Sequence, residues 1–481
     1  MLDVANSLTS TLHLDALLEL VVDEAVKVVD ADRCSLFLVD RERGEVWSKI
    51  AHGMESREIR LPLGSGITGY AAAYGQVINI PDAYADPRFN RDVDASTGYR
   101  TRSMLCVPMR HANGEVVGIL LALNKREELG PFDDADEELL TALGGLAASA
   151  IENAILHDEI NRLFEGFIRA SVVAIESRDP STSGHSERVA TLTLGLAEVV
   201  DGLRAPPFAD VRFSREEMKE LRYAALLHDF GKVGVRENVL VKAEKLYPAE
   251  LESLRMRFAY VRKSIEAESW KRRAELLEAG GPGLSDALRD LEVQTRIRLA
   301  EIYDFESFVM ACNRPSVVAS GNFEKLKDIA RRNFVDGYGI ERPLLSEEEV
   351  GQLSIARGSL SEEERREIES HVSHTYRFLA QIPWTRELRR VPEIAYAHHE
   401  KLDGTGYPRR LAGEQIPVQA RIMTIADIYD ALTAKDRAYK RAVPHNIALD
   451  ILHAEAKRGQ LDAELLRVFV EADVPARLRL A

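Results

Sequence analysis

The stretch that decides the fold of the C-terminal half is Leu221-Arg-Tyr-Ala-Ala-Leu-Leu-His228-Asp229-Phe-Gly231-Lys232. Its apolar residues recur at helical spacing and place Leu221, Ala224 and Ala225 on one face. His228 continues that face, and Gly231 is expected to end the helix shortly afterwards. A histidine on the core side, followed by an aspartate, offers an imidazole and a carboxylate to a buried cation. The stretch therefore predicts a helix that contributes to a metal site.

Other segments of the same half carry the same kinds of ligand. Asp427 lies in an apolar helical stretch, where an uncompensated carboxylate would cost several kcal/mol and a cation would compensate it. His398 and His399 are adjacent, and adjacent helical positions differ by about 100°. Both can bind metal only if two ions, or one ion at the helix end, lie between them. Each histidine alone is also explained as a hydrogen-bonded core or surface residue, but together they predict one centre, completed by His185 and His371.

Composition sets the broad class of the protein. The chain has 481 residues, which favours two to four domains, and its 45% hydrophobic and 29% charged residues are typical of a globular protein. The net charge of −15 argues against binding a nucleic-acid polymer or an anionic membrane. The longest apolar run, Val117–Leu123, is too short to span a bilayer, and the N-terminus lacks a signal-peptide pattern. We expect a cytoplasmic protein without a membrane span.

The N-terminal half predicts a mixed α/β domain with an antiparallel sheet and flanking helices. Residues 14–28 have helical spacing, and strand patterns follow at 34–39, 45–51, 77–80, 103–109 and 116–123. The last two strands are joined by His111–Glu115, in which Asn113-Gly114 supplies the positive φ angles of a tight hairpin. A helix then runs from about 135 to 180. Its apolar spacing predicts a connector that pairs with its counterpart in a homodimer, although packing on its own domain explains the spacing equally well.

Beyond Ser181 the strand patterns fade, and amphipathic helices predict an all-α half. Residues 249–310 contain two apolar stripes separated by Gly280-Gly281-Pro282-Gly283. This pattern predicts a helical hairpin.

The ordered set of motifs in this half resembles the HD-GYP family, a branch of the HD metallohydrolases. The set comprises His185, His228-Asp229-x-Gly231-Lys232, His371, His398-His399-Glu400-x-x-Asp403-Gly404-x-Gly406-Tyr407-Pro408, and Asp427. The resemblance covers roughly 166–245 and 357–475, so an HD-GYP domain is expected over 166–475.

The resemblance implies a metal-dependent phosphodiesterase that hydrolyses cyclic di-GMP to the linear dinucleotide, and in some members to GMP, in bacterial second-messenger signalling. It also implies a centre of two or three divalent ions, usually iron or manganese, with Asp229 bridging ions and Lys232 contacting the phosphate. Tyr407 would face a base or ribose, or the Gly404–Pro408 turn would only position the histidines. The implied metal ligands are His185, His228, Asp229, His371, His398, His399 and Asp427; the implied substrate-binding residues are Gly406, Tyr407, Pro408, Arg437 and Lys440.

The chain departs from that family pattern in two places. Some members with a third metal carry a carboxylate where this chain has Ser181, so we expect two ions. About 110 residues, 246–357, are inserted between two ligand segments where the family has a short connection. This helical insertion is expected to act as a lid, a dimer contact or a partner platform, and the sequence does not choose among them.

Residues 13–155 resemble a GAF domain. The resemblance rests on the stretches 77–89 and 97–108, and on Asn124-Lys125, Phe132, Asp136 and Glu137, whose spacing resembles a signature of GAF domains in cyclic-nucleotide phosphodiesterases. It implies a cyclic-nucleotide effector, or a signature with a purely structural role.

The residues leave alternatives to a cyclic di-GMP phosphodiesterase regulated by a GAF domain. The chain could be a non-catalytic module that binds a cyclic dinucleotide or a partner protein through its insertion. It could also hydrolyse a mixed cyclic dinucleotide or another phosphate ester. The intact His-Asp-Lys and Gly-Tyr-Pro elements favour catalysis, whereas the insertion favours an altered substrate or a partner.

Overall fold

The computed structural model describes residues 2–11, 13–51, 59–91, 94–95, 98–111, 113–178, 183–315, 321–434 and 442–479. The chain divides into two compact units, Met1–Gly166 and Phe167–Ala481. The first unit is α/β and the second is dominated by helices. The predicted fold class, an antiparallel α/β domain followed by a long helix and a helical region with a helical insertion, is confirmed.

The first unit is built on a six-stranded sheet of order β3-β2-β1-β6-β5-β4, in which the paired strands are antiparallel. One face packs on three helices through a core that includes Leu17, Leu105 and Leu140, and the other face packs on a short helix through Ile67 and Ala71. The strands are β1 Ala31–Asp40, β2 Glu45–Ala51, β3 Ile59–Pro62, β4 Ile78–Ile80, β5 Met104–Arg110 and β6 Val116–Lys125; the helices are α1 Leu2–Ser10, α2 Leu14–Val28, α3 Gly66–Tyr74 and α4 Asp134–Arg178, of which residues 134–166 belong to this unit.

Two details of the sheet differ from the sequence prediction. β3 was not predicted, because its four residues, Ile59–Pro62, give too short an alternation to detect. In the β5–β6 hairpin only Gly114 of the Asn-Gly pair has a positive φ, +88°. The Asn113 side chain instead accepts a hydrogen bond from the backbone N–H of Glu115 at 2.9 Å. The turn is therefore held by a side chain and one glycine rather than by two left-handed residues.

The second unit consists mainly of helices that surround the predicted ligands. Short 3₁₀ segments at Phe230–Gly234, Gly413–Gln415 and Val474–Arg479 connect or end them. The helices outside the insertion are α5 His185–Gly202, α6 Arg215–Leu227, α7 Glu237–Leu240, α12 Glu362–Leu379, α13 Val391–Tyr396, α14 Val418–Thr433, α15 His445–Lys457 and α16 Ala463–Glu471.

The insertion contains the predicted helical hairpin, formed by α8 (Pro248–Ala279) and α9 (Leu284–Asn313). It continues with α10 (Gly321–Ala330), a two-stranded sheet and α11 (Glu347–Leu353). The sheet pairs β7 (Asn333–Val335) with β8 (Glu341–Pro343), so the expectation that this half is entirely α-helical is wrong at this point. Strands of three residues with mostly exposed side chains carry no periodic apolar pattern that a sequence could reveal.

One described helix, α4, is long and apolar enough to cross a membrane when judged by length and composition alone. Glu152 and polar residues interrupt its apolar residues, so the helix contains no uninterrupted apolar run of membrane-spanning length. Leu140, Leu143 and Ile151 of this stretch are buried in the core of the first unit. Core helices of folded domains pass the same test, so the observation is weak support for a membrane span.

Candidate metal centre

Five segments of the second unit bring together the seven residues that the sequence singled out as metal ligands. His371 lies inside α12 and Asp427 inside α14. The others lie where helices begin or end: His185 is the first residue of α5, His228 and Asp229 follow α6, and His398 and His399 follow α13.

Local sequence fixes where α6 begins, and the close packing of Gly231 against α12 fixes the turn that follows its end. A capping box of Ser214 and Glu217 starts the helix, with hydrogen bonds of 3.2 and 2.9 Å. After Asp229 the chain enters a 3₁₀ turn in which Gly231 packs directly against α12. A Cβ on Gly231 would lie 1.9 Å from the carbonyl oxygen of His371. Only glycine lets the His-Asp segment and the His371 helix come this close.

The ligand atoms form three overlapping groups, and within each group they lie within 4.8 Å of one another. Sharing of His228 and His398 joins the groups into one centre. The groups are His371, His398 and His399; His185, His228 and Asp229; and His228, His398 and Asp427.

Three of the histidines are oriented by the same type of hydrogen bond to the backbone. The Nδ1–H groups of His228, His371 and His398 donate to the backbone carbonyls three residues earlier, at 2.7, 2.5 and 2.6 Å. Their Nε2 atoms are buried and make no well-directed hydrogen bond within the described part of the chain. A hydrogen bond at Nδ1 leaves the lone pair on Nε2. Three buried lone pairs are therefore directed into the centre.

The two aspartates occupy different positions among these nitrogens. Asp229 places Oδ1 3.2 Å from His371 Nε2, and its Oδ2 lies 3.4 Å from His228 Nε2. Asp427 Oδ1 lies 3.3 Å from His185 Nε2. The two oxygens of Asp229 thus face different histidines, an arrangement that suits a carboxylate shared by two cations.

The structure places the predicted catalytic Lys232 beside the carboxylate of Asp229. Its Nζ lies 2.8 Å from Asp229 Oδ2, and the side chain is 15% exposed. This ammonium therefore has access to solvent at the edge of an otherwise buried centre.

The pKa values follow from burial and from the charges in the centre. Burial lowers the pKa of His399 to about 3, and burial together with its histidine neighbours holds the pKa of His398 well below the ordinary value. Burial also opposes protonation of His185, but Asp427 and Asp430 outweigh it and raise its pKa to about 9. Burial alone would raise the pKa of Asp229, yet Lys232 and neighbouring histidines hold it well below the usual range. Metal binding would displace the His185 proton.

Sequence reasoning missed the group that orients His185. The Nδ1–H of His185 donates to Asp430 Oδ2 at 2.7 Å, and Arg188 donates to Asp430 from Nε at 2.7 Å. Asp430 is 1% exposed. Such outer carboxylates fix the orientation of a ligating imidazole and raise its basicity. The spacing Asp427-x-x-Asp430, which puts both carboxylates on one helical face, was the available signal.

Two buried hydroxyls, also missed, connect the ligand segments. Thr375 Oγ1 donates to the carbonyl of His228 at 2.9 Å and accepts from the backbone N–H of Gly231 at 2.8 Å. Thr424 Oγ1 donates to the carbonyl of His398 at 2.7 Å. These bonds link α12 and α14 to the turns that carry the histidines.

The Gly-Tyr-Pro loop folds back onto the paired histidines. Buried Glu400 accepts hydrogen bonds from the backbone N–H groups of Arg409 and Leu411 at 2.7 and 2.9 Å. A Cβ on Gly406 would lie 2.3 Å from the backbone nitrogen of Lys401. Gly406 therefore has a packing role, and Pro408 follows in the same loop. Tyr407 places its ring centroid 4.8 Å from that of His399.

Three residues named in the sequence analysis cannot be placed. Arg437, Lys440 and Ser181 lie outside the described residues. The substrate-binding roles expected of Arg437 and Lys440, and the expectation of two rather than three ions, therefore remain predictions.

The residues of the centre fit a transition metal. Five imidazoles and two carboxylates form a mixed nitrogen and oxygen donor set, whereas Mg²⁺ and Ca²⁺ prefer oxygen alone. Buried nitrogen lone pairs that face one another without protons or hydrogen bonds are costly unless a cation satisfies them. The donor set and the orphaned Nε2 atoms together identify a His/Asp cluster able to hold divalent ions.

The signature residues of the first unit have structural partners. Asn124 Oδ1 accepts a hydrogen bond from the backbone N–H of Arg102 at 2.6 Å. Lys125 forms an ion pair with Asp136 at the start of α4. Phe132, which lies between these two residues in the sequence, is buried in the core. These contacts tie β6 to the preceding loop and to α4, so they favour a structural role for the signature.

Family models match three parts of the chain. A GAF domain model matches residues 13–151, and two HD domain models match residues 182–279 and 346–465. The chain combines a GAF domain with an HD domain. The second and third matches lie on either side of much of the insertion and together include all seven residues of the metal centre.

Two curated relatives are cyclic-nucleotide phosphodiesterases by name. A dual 3′,5′-cyclic-AMP and -GMP phosphodiesterase 11A of Takifugu rubripes is 36% identical over 166 residues, which is 32% of this chain and 18% of the relative. A probable 3′,5′-cyclic phosphodiesterase of Caenorhabditis elegans is 37% identical over 175 residues, 34% of this chain and 24% of the relative. The matches thus span less than a quarter of either relative's length.

Solved GAF domains are also similar to part of the chain. The GAF domain of a phosphoenolpyruvate-protein phosphotransferase from Coxiella burnetii is 25% identical, with a TM-score of 0.29, and the match covers 33% of this chain and 96% of that one. A GAF domain/HD domain protein from Geobacter sulfurreducens is 18% identical, with a TM-score of 0.27, and the match covers 32% and 98%.

Proposed function

We propose that the chain is a metal-dependent phosphodiesterase that hydrolyses cyclic di-GMP to its linear dinucleotide, and onward to GMP, under control of its GAF domain. The observation that supports this proposal most is the HD-domain centre itself. Its seven His and Asp side chains converge, and three of them direct orphaned Nε2 atoms inward. A cyclic dinucleotide as the substrate is supported by the Gly-Tyr-Pro loop, which resembles the HD-GYP signature and whose Tyr407 contacts His399.

The seven residues would hold two divalent ions, iron or manganese, with Asp229 shared between them. Bound divalent ions supply Lewis acidity and lower the pKa of a coordinated water to near neutrality. The protein contributes a buried, hydrogen-bonded frame in which the imidazoles keep one tautomer. Lys232, at the open edge, would contact the phosphate and neutralise charge that develops on its oxygens.

Product analysis tests this function. Protein reconstituted anaerobically with iron(II) or manganese(II) is incubated with cyclic di-GMP, and the nucleotides are separated and quantified. We expect linear dinucleotide or GMP with the wild type and none with His398→Ala, because that variant loses a nitrogen shared by two ligand groups. Stoichiometric metal content without product would contradict the proposal.

The names of the curated relatives make 3′,5′-cyclic AMP and GMP the second candidate substrates and the candidate effectors of the GAF domain. The same assay separates these roles. Cyclic AMP or GMP is offered alone, as a substrate, and then added to the cyclic di-GMP reaction as an effector. An effector changes the rate of cyclic di-GMP hydrolysis without itself being consumed.

We also propose that the active protein is a homodimer formed through α4. Within the first unit, its residues follow a heptad pattern on a mostly exposed face, of which Leu146 also packs partly against the domain core. Leu156, Ile160 and Leu163 are 48%, 64% and 78% exposed. The a positions are Leu139, Leu146, Asn153 and Ile160, and the d positions are Ala142, Ser149, Leu156 and Leu163.

Two features favour a parallel, in-register second copy as the occupant of this face. Exposed Asn153 occupies an a position, where its amide can pair with the same residue of a parallel partner. Glu152 and Glu159 occupy g positions, which face each other in an antiparallel pair and would then repel. A parallel pair avoids this juxtaposition.

Replacing Leu163 by Asp should raise the dimer dissociation constant at least about tenfold, because a charge would enter the apolar seam formed by the a and d positions of α4. The exposed position of Leu163 should leave the fold of each chain intact. Sedimentation over a concentration series measures the change, with Leu129→Asp, also exposed but outside the seam, as the matched control. A monomeric wild type, or equal dissociation constants, would refute the proposed dimer.

A further inference from the structure

A cavity of about 360 Å³ adjoins the metal centre. Three elements line it: residues 358–360, the first turns of α12, and Tyr407 of the Gly-Tyr-Pro loop. Its volume is in the range of small-molecule sites. Because the Tyr407 ring also contacts His399, a ligand in this cavity would lie one side chain away from the metal ligands.

The wall at residues 358–360 is fixed in place. The Ser359 hydroxyl donates to the carbonyl of Lys242 at 2.8 Å, so the chain leaving the insertion is tied to the chain that enters it. Leu360 and Ile368 supply apolar surface on the cavity lining. A flat apolar group could therefore be held between these side chains and the Tyr407 ring.

Two charged side chains of α12 line the cavity without a charged partner. Arg365 and Glu369 are four residues apart, on one helical face. Neither forms an ion pair or a side-chain hydrogen bond within the residues that the structure describes. By contrast, neighbouring Glu364 pairs with Lys242 at 2.7 Å and Glu367 with Arg236 at 2.5 Å.

We propose that this cavity is a guanine subsite, in which Glu369 and Arg365 read the base and Tyr407 stacks on it. The inference rests on the proposed phosphodiesterase function and assigns its base specificity. A carboxylate accepts hydrogen bonds from N1–H and the N2 amino group of guanine, while a guanidinium donates to O6 and N7. Adenine presents a lone pair at N1 and lacks the N2 amino group, so it would oppose the Glu369 carboxylate.

The position of the cavity also suits a nucleotide whose base lies in the cavity and whose phosphate lies toward the metal centre. Aromatic side chains stack on bases and are tolerant of base identity, so Tyr407 would supply affinity and the two charged residues selectivity. With the base against Tyr407, a ribose and phosphate on the His399 side of the ring would lie next to the metal centre. The wall at residues 358–360 directly follows the insertion, and no residue of the insertion itself is among the described residues that line the cavity.

Equilibrium binding of 5′-GMP and 5′-AMP to the full-length protein tests the subsite. The two nucleotides share ribose and phosphate, so the ratio of their dissociation constants reports the base alone. We expect wild type to favour GMP at least about tenfold, and Glu369→Gln to reduce that preference about tenfold, in line with the discrimination of one bidentate contact. Arg365→Met should weaken GMP binding and thereby also reduce the preference for GMP over AMP.

Glu363→Gln, the same change at an exposed position of α12 outside the cavity, is the matched control and should keep the wild-type ratio. Equal affinity of wild type for GMP and AMP, or a ratio unchanged by Glu369→Gln in folded protein, would overturn the subsite. Binding is measured without turnover, so the outcomes are separable. Selective GMP binding without hydrolysis contradicts the enzyme, whereas hydrolysis without base preference contradicts the subsite.

Discussion

Replacing Asp229 by Asn should lower the rate of cyclic di-GMP hydrolysis by at least about 10³-fold. The carboxylate faces His371 with one oxygen and His228 with the other, so it is the group best placed to be shared by two ions. An amide keeps the size but removes the negative charge that balances two cations. Metal-ion catalysis contributes several kcal/mol, and each 1.36 kcal/mol is a factor of ten in rate.

The measurement is the initial rate of product formation together with the metal content of each protein. Asp450→Asn is the matched control, because it makes the same change at an exposed position of α15 in the same domain. We expect the Asp229 variant to lose both metal and rate, and the control to keep both. A variant with full metal content and a rate within tenfold of wild type would show that Asp229 is not the shared ligand.

The positions of the candidate metal ligands were predictable from the ordered set of their sequence motifs. Each ligand segment alone is a weak signal, but few other functions require the ordered set, which includes His228-Asp229 at a helix end and Asp427 within an apolar helix. The sequence predicted that the buried charge of Asp427 needs a compensating partner, and the side chain is indeed buried in α14. The distances between the ligand atoms could not be predicted, because five segments separated by up to about 240 residues meet only after folding.

The hydrogen-bond partners of the residues that support the ligands were not predictable for the same reason, although spacing on α14 was a signal for Asp430 itself. Asp430 and Arg188 orient His185, but the bonds join residues 245 and 242 positions apart. Thr375 resembles any other polar residue of an amphipathic helix until its two hydrogen bonds are seen. Local propensity determines helices, whereas the partners of a buried polar group are decided by tertiary packing.

The insertion shows how a segment of unassigned role is joined to the centre. At its entry, Tyr247 donates a 2.5 Å hydrogen bond to Glu364, which also pairs with Lys242. Glu364 lies in the first turn of α12, two turns before the ligand His371. A change in the insertion can therefore reach the metal centre through α12, although only the folded structure reveals the link.

Replacing Gly231 by Ala should destabilise the HD domain and lower the hydrolysis rate about 10²-fold. The new Cβ would lie 1.9 Å from the His371 carbonyl oxygen and 2.5 Å from the Thr375 backbone nitrogen. Both neighbours are backbone atoms of α12, so relief requires the helix to move away and take His371 with it. Overpacking of this kind costs about 1–3 kcal/mol, and a misplacement of about 1 Å can cost 10²-fold in rate.

Gly202→Ala separates this clash from the general effect of adding a methyl group. A Cβ at Gly202, in α5, meets nothing within 4 Å, so this variant should match or slightly exceed wild-type stability. Urea unfolding gives the free energies and the product assay gives the rates. If Gly231→Ala unfolds at the wild-type urea concentration and keeps its rate, the His-Asp turn does not rest on α12 as described. If it loses rate and metal while Gly202→Ala loses neither, the close approach of the two ligand segments is required for the centre to assemble.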